Sequence, residues 1–99
     1  MFVLVVKAKA AAGKEKELEQ LFLQAVKNVR REEKDAPIYN CHRKIGNPSE
    51  ILMYEVYRDK KAWEVTHTGK PYIKELGENL PKYTVGDIEI EEYELVEPD

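Results

Sequence analysis

The stretch SEILMYEVYRDKKAWEVTHTGKPYIKEL, residues 49–76, decides the fold of this chain. Residues 50–58 predict a buried β-strand, because they are mainly apolar and aromatic with a period of two. Asp59 is a good N-cap for a short helix over residues 60–67. Pro71 suits the first position of a second short helix. Most side chains able to do chemistry therefore fall on one strand and the two helices that follow it.

Three further strands and one long helix surround this stretch. Residues 2–10 predict a first strand whose initial half is apolar on both faces, so we expect both faces to be covered. Residues 38–45 predict a second strand in a hairpin with the third, and residues 85–96 a last strand. The apolar phase of that last strand slips at Glu91-Glu92, which predicts a β-bulge. Residues 14–33 predict an amphipathic helix with an apolar stripe of Leu18, Leu21, Phe22, Ala25, Val26 and Val29.

The order of these elements is β-α-β-β-α-β, with the second helix broken in two. This order predicts an α+β fold of the ferredoxin-like class, an antiparallel sheet with helices on one face. A chain of 99 residues forms one small domain, residues 1–99, and buries limited apolar surface alone. We therefore expect a homodimer, in which a second copy covers the other face of the sheet.

Composition and charge narrow the classes of function. The net charge is -3, from 16 basic and 19 acidic residues, so the basic surplus of a nucleic-acid binder is lacking. No apolar run approaches the roughly 20 residues of a membrane span. The first ten residues are apolar but have no basic start, so we predict a strand there, not a signal peptide, and a cytoplasmic protein. The lone Cys41 excludes an internal disulfide and forms no zinc pattern, so no metal site is predicted.

Several segments resemble the antibiotic biosynthesis monooxygenase domain family. They are residues 53–59 (MYEVYRD), residues 62–64 (AWE) with His67, and residues 37–39 with the hairpin. The resemblance covers nearly the whole chain. It implies a dimeric α+β barrel, in which two ferredoxin-like sheets face each other and each subunit has a pocket between its sheet and its helices. It also implies a cofactor-free oxygenase, as many members act on hydroquinones or polyketide phenols.

On this resemblance the substrate is a small quinol or phenol that itself supplies electrons to dioxygen. The protein then needs no cofactor, but it needs a base and hydrogen-bond donors for charged intermediates. His67 is the predicted base, because imidazole exchanges protons near neutral pH. Glu55 is predicted to orient His67 or to take the proton itself, and Tyr57 to hydrogen-bond a substrate oxygen. The predicted substrate-binding residues are Tyr72, Trp63, Asn40 and His42.

The sequence departs from the family's pattern near the predicted base. Thr66 stands where many relatives have His, and Lys70-Pro71-Tyr72 stands where many have Pro-His-Phe. The prediction of a catalytic base therefore rests on His67 alone. The functional residues of the haem-degrading branch fall on Val6, Thr66 and Leu76 by ungapped comparison. None of the three matches, so haem degradation is rejected.

Each predicted site residue also has a structural interpretation. Trp63 is typical of core packing. A buried carboxylate at Glu55 needs a partner in any case, and an ion pair with Arg43, Lys44 or a partner subunit would supply it. His42 lies on a strand and faces either the pocket or the dimer seam.

The alternative function is a non-catalytic dimeric module of the same fold that binds a small ligand. An enclosed pocket on which His67 and a tyrosine hydroxyl converge would favour the enzyme. A pocket filled by Trp63 and Tyr72 would favour the binding module.

Overall fold

The computed structural model describes residues 1–98 and contains every predicted element. The helical segments are α1 (Glu15–Glu32), a π-helix (Ala62–His67), α2 (Pro71–Asn79) and a 3-10 turn (Leu80–Lys82). Within residues 1–98, none of these helices has both the length and the apolar character needed to cross a membrane. The strands are β1 (Phe2–Lys9), β2 (Ile38–Arg43), β3 (Glu50–Tyr57) and β4 (Glu89–Glu94).

The four strands form one antiparallel sheet in the order β2-β3-β1-β4. The central strand β1 pairs with β3 from Phe2↔Tyr57 to Lys9↔Glu50, and β2 pairs with β3 from Ile38↔Val56 to Arg43↔Ile51. This topology confirms the ferredoxin-like prediction. It also fixes which residues share a face, because cross-strand partners point the same way.

The helices pack on one face of the sheet and form the core there. Five of the six residues in the predicted stripe of α1 are buried, and Leu21 is half-buried against them. They meet strand residues such as Leu4, Ile51 and Met53. Full burial of one such side chain stabilises the fold by roughly 1.5–3 kcal/mol. The prediction for α1 is therefore confirmed, and this core positions everything described below.

No helix formed by residues 1–98 covers the opposite face of the sheet, which we call the open face. Cross-strand pairing aligns Ile38, Val56, Val3 and Tyr93 in one row on this face. Val3 and Val56 are nearly covered by their neighbours, but Tyr93 is 50% exposed and Tyr54 in the next row is 36% exposed. The open face is therefore an apolar strip with exposed aromatic side chains.

The predicted bulge in the last strand is wrong. Glu91 and Glu92 pair with consecutive residues, Val5 and Leu4, so the register is unbroken. Ile90 lies on the helix-covered face and Tyr93 on the open face, so the two apolar phases are the two faces of one regular strand. The strand also begins at Glu89 rather than 85, because the chain turns just before it at Gly86, where φ is +69°.

Other boundaries differ from the prediction by one or two residues. β2 ends at Arg43 instead of 45, where the chain turns and Ile45 is fully exposed at the hairpin tip. The helix expected over residues 60–67 is the π-helix Ala62–His67. Asp59 caps it as predicted, because its Oδ1 accepts a hydrogen bond from the Ala62 N–H at 2.8 Å.

Candidate functional site

Three polar side chains are buried where α1, β3 and the π-helix meet. Glu33 is 8% exposed, and Glu55 and His67 are each 4% exposed. Burying such groups is unfavourable unless they are paired, so their partners define the chemistry of this place. The three, with the tyrosines that contact them, form what we call the His67 cluster: Glu33, Tyr39, Glu55, Tyr57, His67 and Tyr72.

The ends of two helices bring His67 and Glu33 together. Glu33 is the residue directly after α1, and His67 is the last residue of the π-helix. The wider turn of that helix is visible in the bond from the Thr68 N–H to the Trp63 carbonyl, five residues back. Single π-helical turns are rare and recur at functional sites. Here the π-helix carries His67 to the core side of the fold.

The pair of His67 and Glu33 fixes the state of the imidazole. Nδ1 of His67 lies 2.9 and 3.1 Å from the two carboxylate oxygens of Glu33. An ionised carboxylate only accepts hydrogen bonds, so Nδ1 carries a proton and donates it. In the neutral ring Nε2 is then the unprotonated nitrogen.

The Glu33 carboxylate is held in its ionised form. Burial would raise its pKa, but hydrogen bonds from His67 and Tyr72 outweigh burial and leave the pKa below its ordinary value of 4.5. The Tyr72 hydroxyl donates to Oε2 at 2.5 Å. Glu33 is therefore a fixed negative charge at neutral pH, with one oxygen shared between a tyrosine and the imidazole.

Glu55 behaves in the opposite way. Burial raises its pKa to about 7, although a hydrogen bond from Tyr57 opposes that shift. The Tyr57 hydroxyl donates to Oε1 of Glu55 at 2.6 Å. Two carboxyl groups in one cluster thus have pKa values on either side of the ordinary range, an arrangement that separates acid and base roles. Near neutral pH Glu55 is able to gain or lose a proton.

Aromatic rings hold the imidazole from two sides. The ring centroid of His67 lies 5.2 Å from that of Tyr39 and 5.3 Å from that of Tyr57, the latter edge-on at 64°. Burial raises the pKa of both tyrosine hydroxyls well above their ordinary value, so both stay protonated. The imidazole is therefore fixed in orientation, and hydroxyl donors lie near it.

His67 is 4% exposed, and the rings of Tyr39 and Tyr57 pack against its imidazole. Two open depressions occur elsewhere on the surface, one between α1 and the β2–β3 hairpin and one around Lys7, His42 and Gly86. Neither includes His67. Within residues 1–98, no three His, Cys, Asp or Glu side chains are arranged to hold a metal ion. The predicted pocket between sheet and helices remains a prediction for the single chain.

Of the other predicted site residues, Trp63 lies on the same side of the sheet as His67, whereas Asn40 and His42 lie on the opposite face. Trp63 is half-buried and stacks on Phe2, with ring centroids 5.5 Å apart. Asn40 and His42 alternate with Tyr39 along β2 and lie on the open face, away from His67. Asn40 accepts a hydrogen bond from Arg30 at 2.7 Å. The structure thus unites His67, Glu55, Tyr57 and Tyr72 but not Asn40 and His42.

The expected partners of Glu55 are corrected by the structure. Glu55 does not orient His67, because Glu33 accepts the Nδ1 hydrogen bond. Arg43 and Lys44 do not pair with Glu55 either: Arg43 binds Glu19 at 2.7 Å and Lys44 binds Glu50 at 2.8 Å. Both basic residues lie near the hairpin end of the sheet, while the Tyr57 hydroxyl satisfies Glu55 locally.

Glu33 was not predicted from the sequence, although a signal for it exists. It follows Val29 by four residues, so it continues the buried stripe of α1 past the end of the helix. An acidic residue at a core-facing position needs a buried partner. The neighbouring charged residues, such as Arg30, Arg31 and Lys34, made Glu33 look like part of an exposed charged segment.

Comparisons with known proteins place this architecture among relatives. The family model described as "Antibiotic biosynthesis monooxygenase" matches residues 1–78. A candidate antibiotic biosynthesis monooxygenase from Caulobacter crescentus is 25% identical, with a TM-score of 0.89 over 97% of this chain and 90% of that one. One from Deinococcus radiodurans is 23% identical, with a TM-score of 0.88 over 100% and 96%.

A third solved structure shows how far the fold extends beyond sequence similarity. A candidate antibiotic biosynthesis monooxygenase from Nitrosomonas europaea is 14% identical, with a TM-score of 0.91 over 98% of this chain and 100% of that one. No protein with a curated description matches the sequence. The likeness therefore covers the whole domain, including the part of the chain after residue 78.

Proposed function

This chain belongs to the antibiotic biosynthesis monooxygenase family, and on that premise we propose that it is a cofactor-independent monooxygenase acting on a small quinol or phenol. The observation that carries the proposal is the buried His67, whose Nδ1 is bound by the ionised Glu33 and whose Nε2 is left to accept a proton. Glu55, with a pKa of about 7, lies in the same cluster. These groups meet the needs of a reaction that begins by deprotonating the substrate.

The proposed reaction draws all its electrons from the substrate. His67 Nε2 removes a proton from a quinol hydroxyl, and the resulting anion transfers an electron to dioxygen. One oxygen atom then forms a new C–O bond and the other leaves as water, so that a hydroquinone and O₂ give a hydroxyquinone and H₂O. The quinol loses four electrons and dioxygen gains four. Positioned donors in a site with little water stabilise the anionic intermediates.

The remaining side chains of the cluster have complementary roles in this proposal. Glu55, when protonated, donates a hydrogen bond to a substrate oxygen, and when ionised it accepts a proton. Tyr57 holds Glu55 through its hydroxyl. Tyr72 and Trp63 are only partly buried, and we propose that the substrate enters between the sheet and helices beside them. The Tyr72 oxygen, whose proton is donated to Glu33, then accepts a hydrogen bond from the substrate hydroxyl, and Trp63 forms an apolar wall.

We also propose that the protein is a homodimer through the open face. Ile38, Tyr54 and Tyr93 on this face support this, because they are 36–50% exposed and exposed apolar surface typically marks an interface. Small domains gain stability by burying such surface against a second copy. Asn40 and His42 lie on the open face and would sit at the dimer seam rather than beside His67.

Tyr54→Lys is expected to convert the dimer into a monomer. The Tyr54 side chain lies in the middle of the open face and is 36% exposed. The subunit should therefore still fold with lysine at this position, but the lysine places a charge in the apolar interface. Sedimentation equilibrium should give about twice 11.5 kDa for the wild type and 11.5 kDa, the mass of one subunit, for the variant. Val65→Lys is the control, because Val65 is exposed on the π-helix and should leave the dimer intact. A monomeric wild type would contradict the proposal.

Oxygen uptake tests the proposed activity directly. Purified, chelator-treated protein is mixed with hydroquinones and hydroxylated polyaromatics, and oxygen consumption is recorded with an electrode. We expect uptake above the autoxidation rate for at least one compound, with hydroxylated product and water but no accumulating peroxide. Binding of the compounds without uptake, measured by calorimetry, would instead favour the non-catalytic ligand-binding module.

A further inference from the structure

We infer that Glu33 is a positioning residue for His67: its carboxylate keeps the imidazole in the Nδ1–H tautomer and turns Nε2 towards the substrate. The inference rests on the proposed function for the chemistry at Nε2. The tautomer itself does not, because it is a property of the free protein and can be measured without substrate.

Three contacts fix the Glu33 carboxylate in relation to the ring. Both oxygens lie within hydrogen-bond distance of the same nitrogen, at 2.9 and 3.1 Å. The Tyr72 hydroxyl binds Oε2 and so stops the carboxylate from rotating away. Glu33 and His67 are both under a tenth exposed, so water does not compete for these bonds.

The ring has little freedom to adopt another orientation. Tyr39 and Tyr57 pack against the imidazole from β2 and β3, with centroids 5.2 and 5.3 Å away. To present Nε2 to Glu33, the imidazole would have to flip between these two tyrosine rings. Any smaller rotation would leave the buried, ionised carboxylate without its Nδ1 donor. The second partner of an imidazole commonly sets which nitrogen is free to react. Glu33 has this role because it is the acceptor that faces Nδ1.

The experiment combines nitrogen NMR of the imidazole with steady-state kinetics. Long-range ¹H–¹⁵N spectra at about pH 8, above the usual titration range of imidazole, report which nitrogen is protonated. We expect Nδ1–H and a bare Nε2 at His67 in the wild type. In Glu33→Gln the amide offers both a donor and an acceptor, so a mixture of tautomers is expected. Its kcat should fall about 10- to 100-fold with KM little changed, the loss known for side chains that orient metal-binding histidines.

Glu32→Gln is the matched control, because Glu32 is exposed and pairs with Arg31 on the surface. It makes the same change one residue away and should alter neither the tautomer nor kcat. Glu33→Asp keeps the charge and should recover part of the Nδ1–H population. A merely structural Glu33 would lower the unfolding temperature in Glu33→Gln but leave the tautomer and kcat unchanged.

Two outcomes would overturn the inference: an Nε2–H or doubly protonated His67 in the wild type, or an unchanged tautomer in Glu33→Gln. The wild-type spectrum decides the first even if the variant does not fold. If the wild type consumes no oxygen while its tautomer responds to Glu33→Gln as expected, the proposed function fails and the positioning of the ring by Glu33 stands.

Discussion

His67→Gln is expected to lower quinol-dependent oxygen uptake by about 10²- to 10⁴-fold, the usual contribution of a positioned general base. The glutamine amide still donates a hydrogen bond to Glu33, so the buried carboxylate keeps a partner. It cannot accept a proton from the substrate at neutral pH. The rate should therefore fall at the chemical step, and the quinol should still bind.

The measurement is kcat for the best compound of the oxygen-uptake panel, with the unfolding temperature recorded for each variant. Glu64→Gln serves as the control, because Glu64 is an exposed residue of the same π-helix. Equal rates for wild type and His67→Gln would remove His67 as the base while leaving the activity in place. Equal losses in both variants would point to a disturbed helix instead.

The difference in unfolding free energy between Glu55→Gln and the wild type is expected to change by about 3 kcal/mol in favour of the variant when the pH is raised from 4.5 to 8. Glu55 has a pKa of about 7 in the folded protein, where burial raises it from its ordinary value of 4.5. Between these two values the folded protein keeps a proton that the unfolded chain releases. Wild-type stability must therefore fall as pH rises through this window and level off above about pH 7.

Glutamine resembles the protonated form of Glu55, and its carbonyl still accepts the hydrogen bond from Tyr57. The variant should therefore lack this decline. Urea unfolding at both pH values, at one fixed protein concentration, gives the difference between variant and wild type. A difference that does not change with pH would mean that folding leaves the pKa of Glu55 at its ordinary value.

Glu33 contributes to pH dependence with the opposite sign. Its pKa is below 4.5 in the folded protein, so its contribution to stability is present above pH 4.5 and is lost as pH falls through its folded pKa. This acid loss is common to wild type and Glu55→Gln. The comparison between those two proteins therefore isolates Glu55.

Local patterns in the sequence were enough for the elements of the fold. The stripe of α1, the cap at Asp59 and the start of α2 at Pro71 each depend on neighbours within a few residues, and all three occur in the structure. The error in β4 arose because that strand is an exposed edge. Ile90 lies near the start of the strand on one face and Tyr93 near its end on the other, and this arrangement gives the same sequence pattern as a β-bulge.

Four of the predicted site residues lie together in the structure, but the sequence indicated neither Glu33 nor the contacts within the cluster. His67, Glu55, Tyr57 and Tyr72 do meet, because strand alternation and helix spacing turn them towards the same core. The prediction that Glu55 orients His67 was wrong, because the observed partner, Glu33, lies 34 residues away in the chain. That contact depends on where α1 ends in relation to a π-helical turn. The opposite faces taken by Asn40 and Tyr39 follow from the register of β2.

The order of elements, the ferredoxin-like sheet and the family of the chain follow from the sequence alone. These depend on hydrophobic periodicity and on local backbone preferences, which neighbouring residues set. Long-range packing, in contrast, is what pairs Glu33 with His67 and shifts the pKa values of Glu33 and Glu55 in opposite directions, and the fold also lets Tyr57 bind Glu55. The reason is physical: burial and hydrogen bonding act between side chains distant in sequence, and their strength depends on distances that no local pattern fixes.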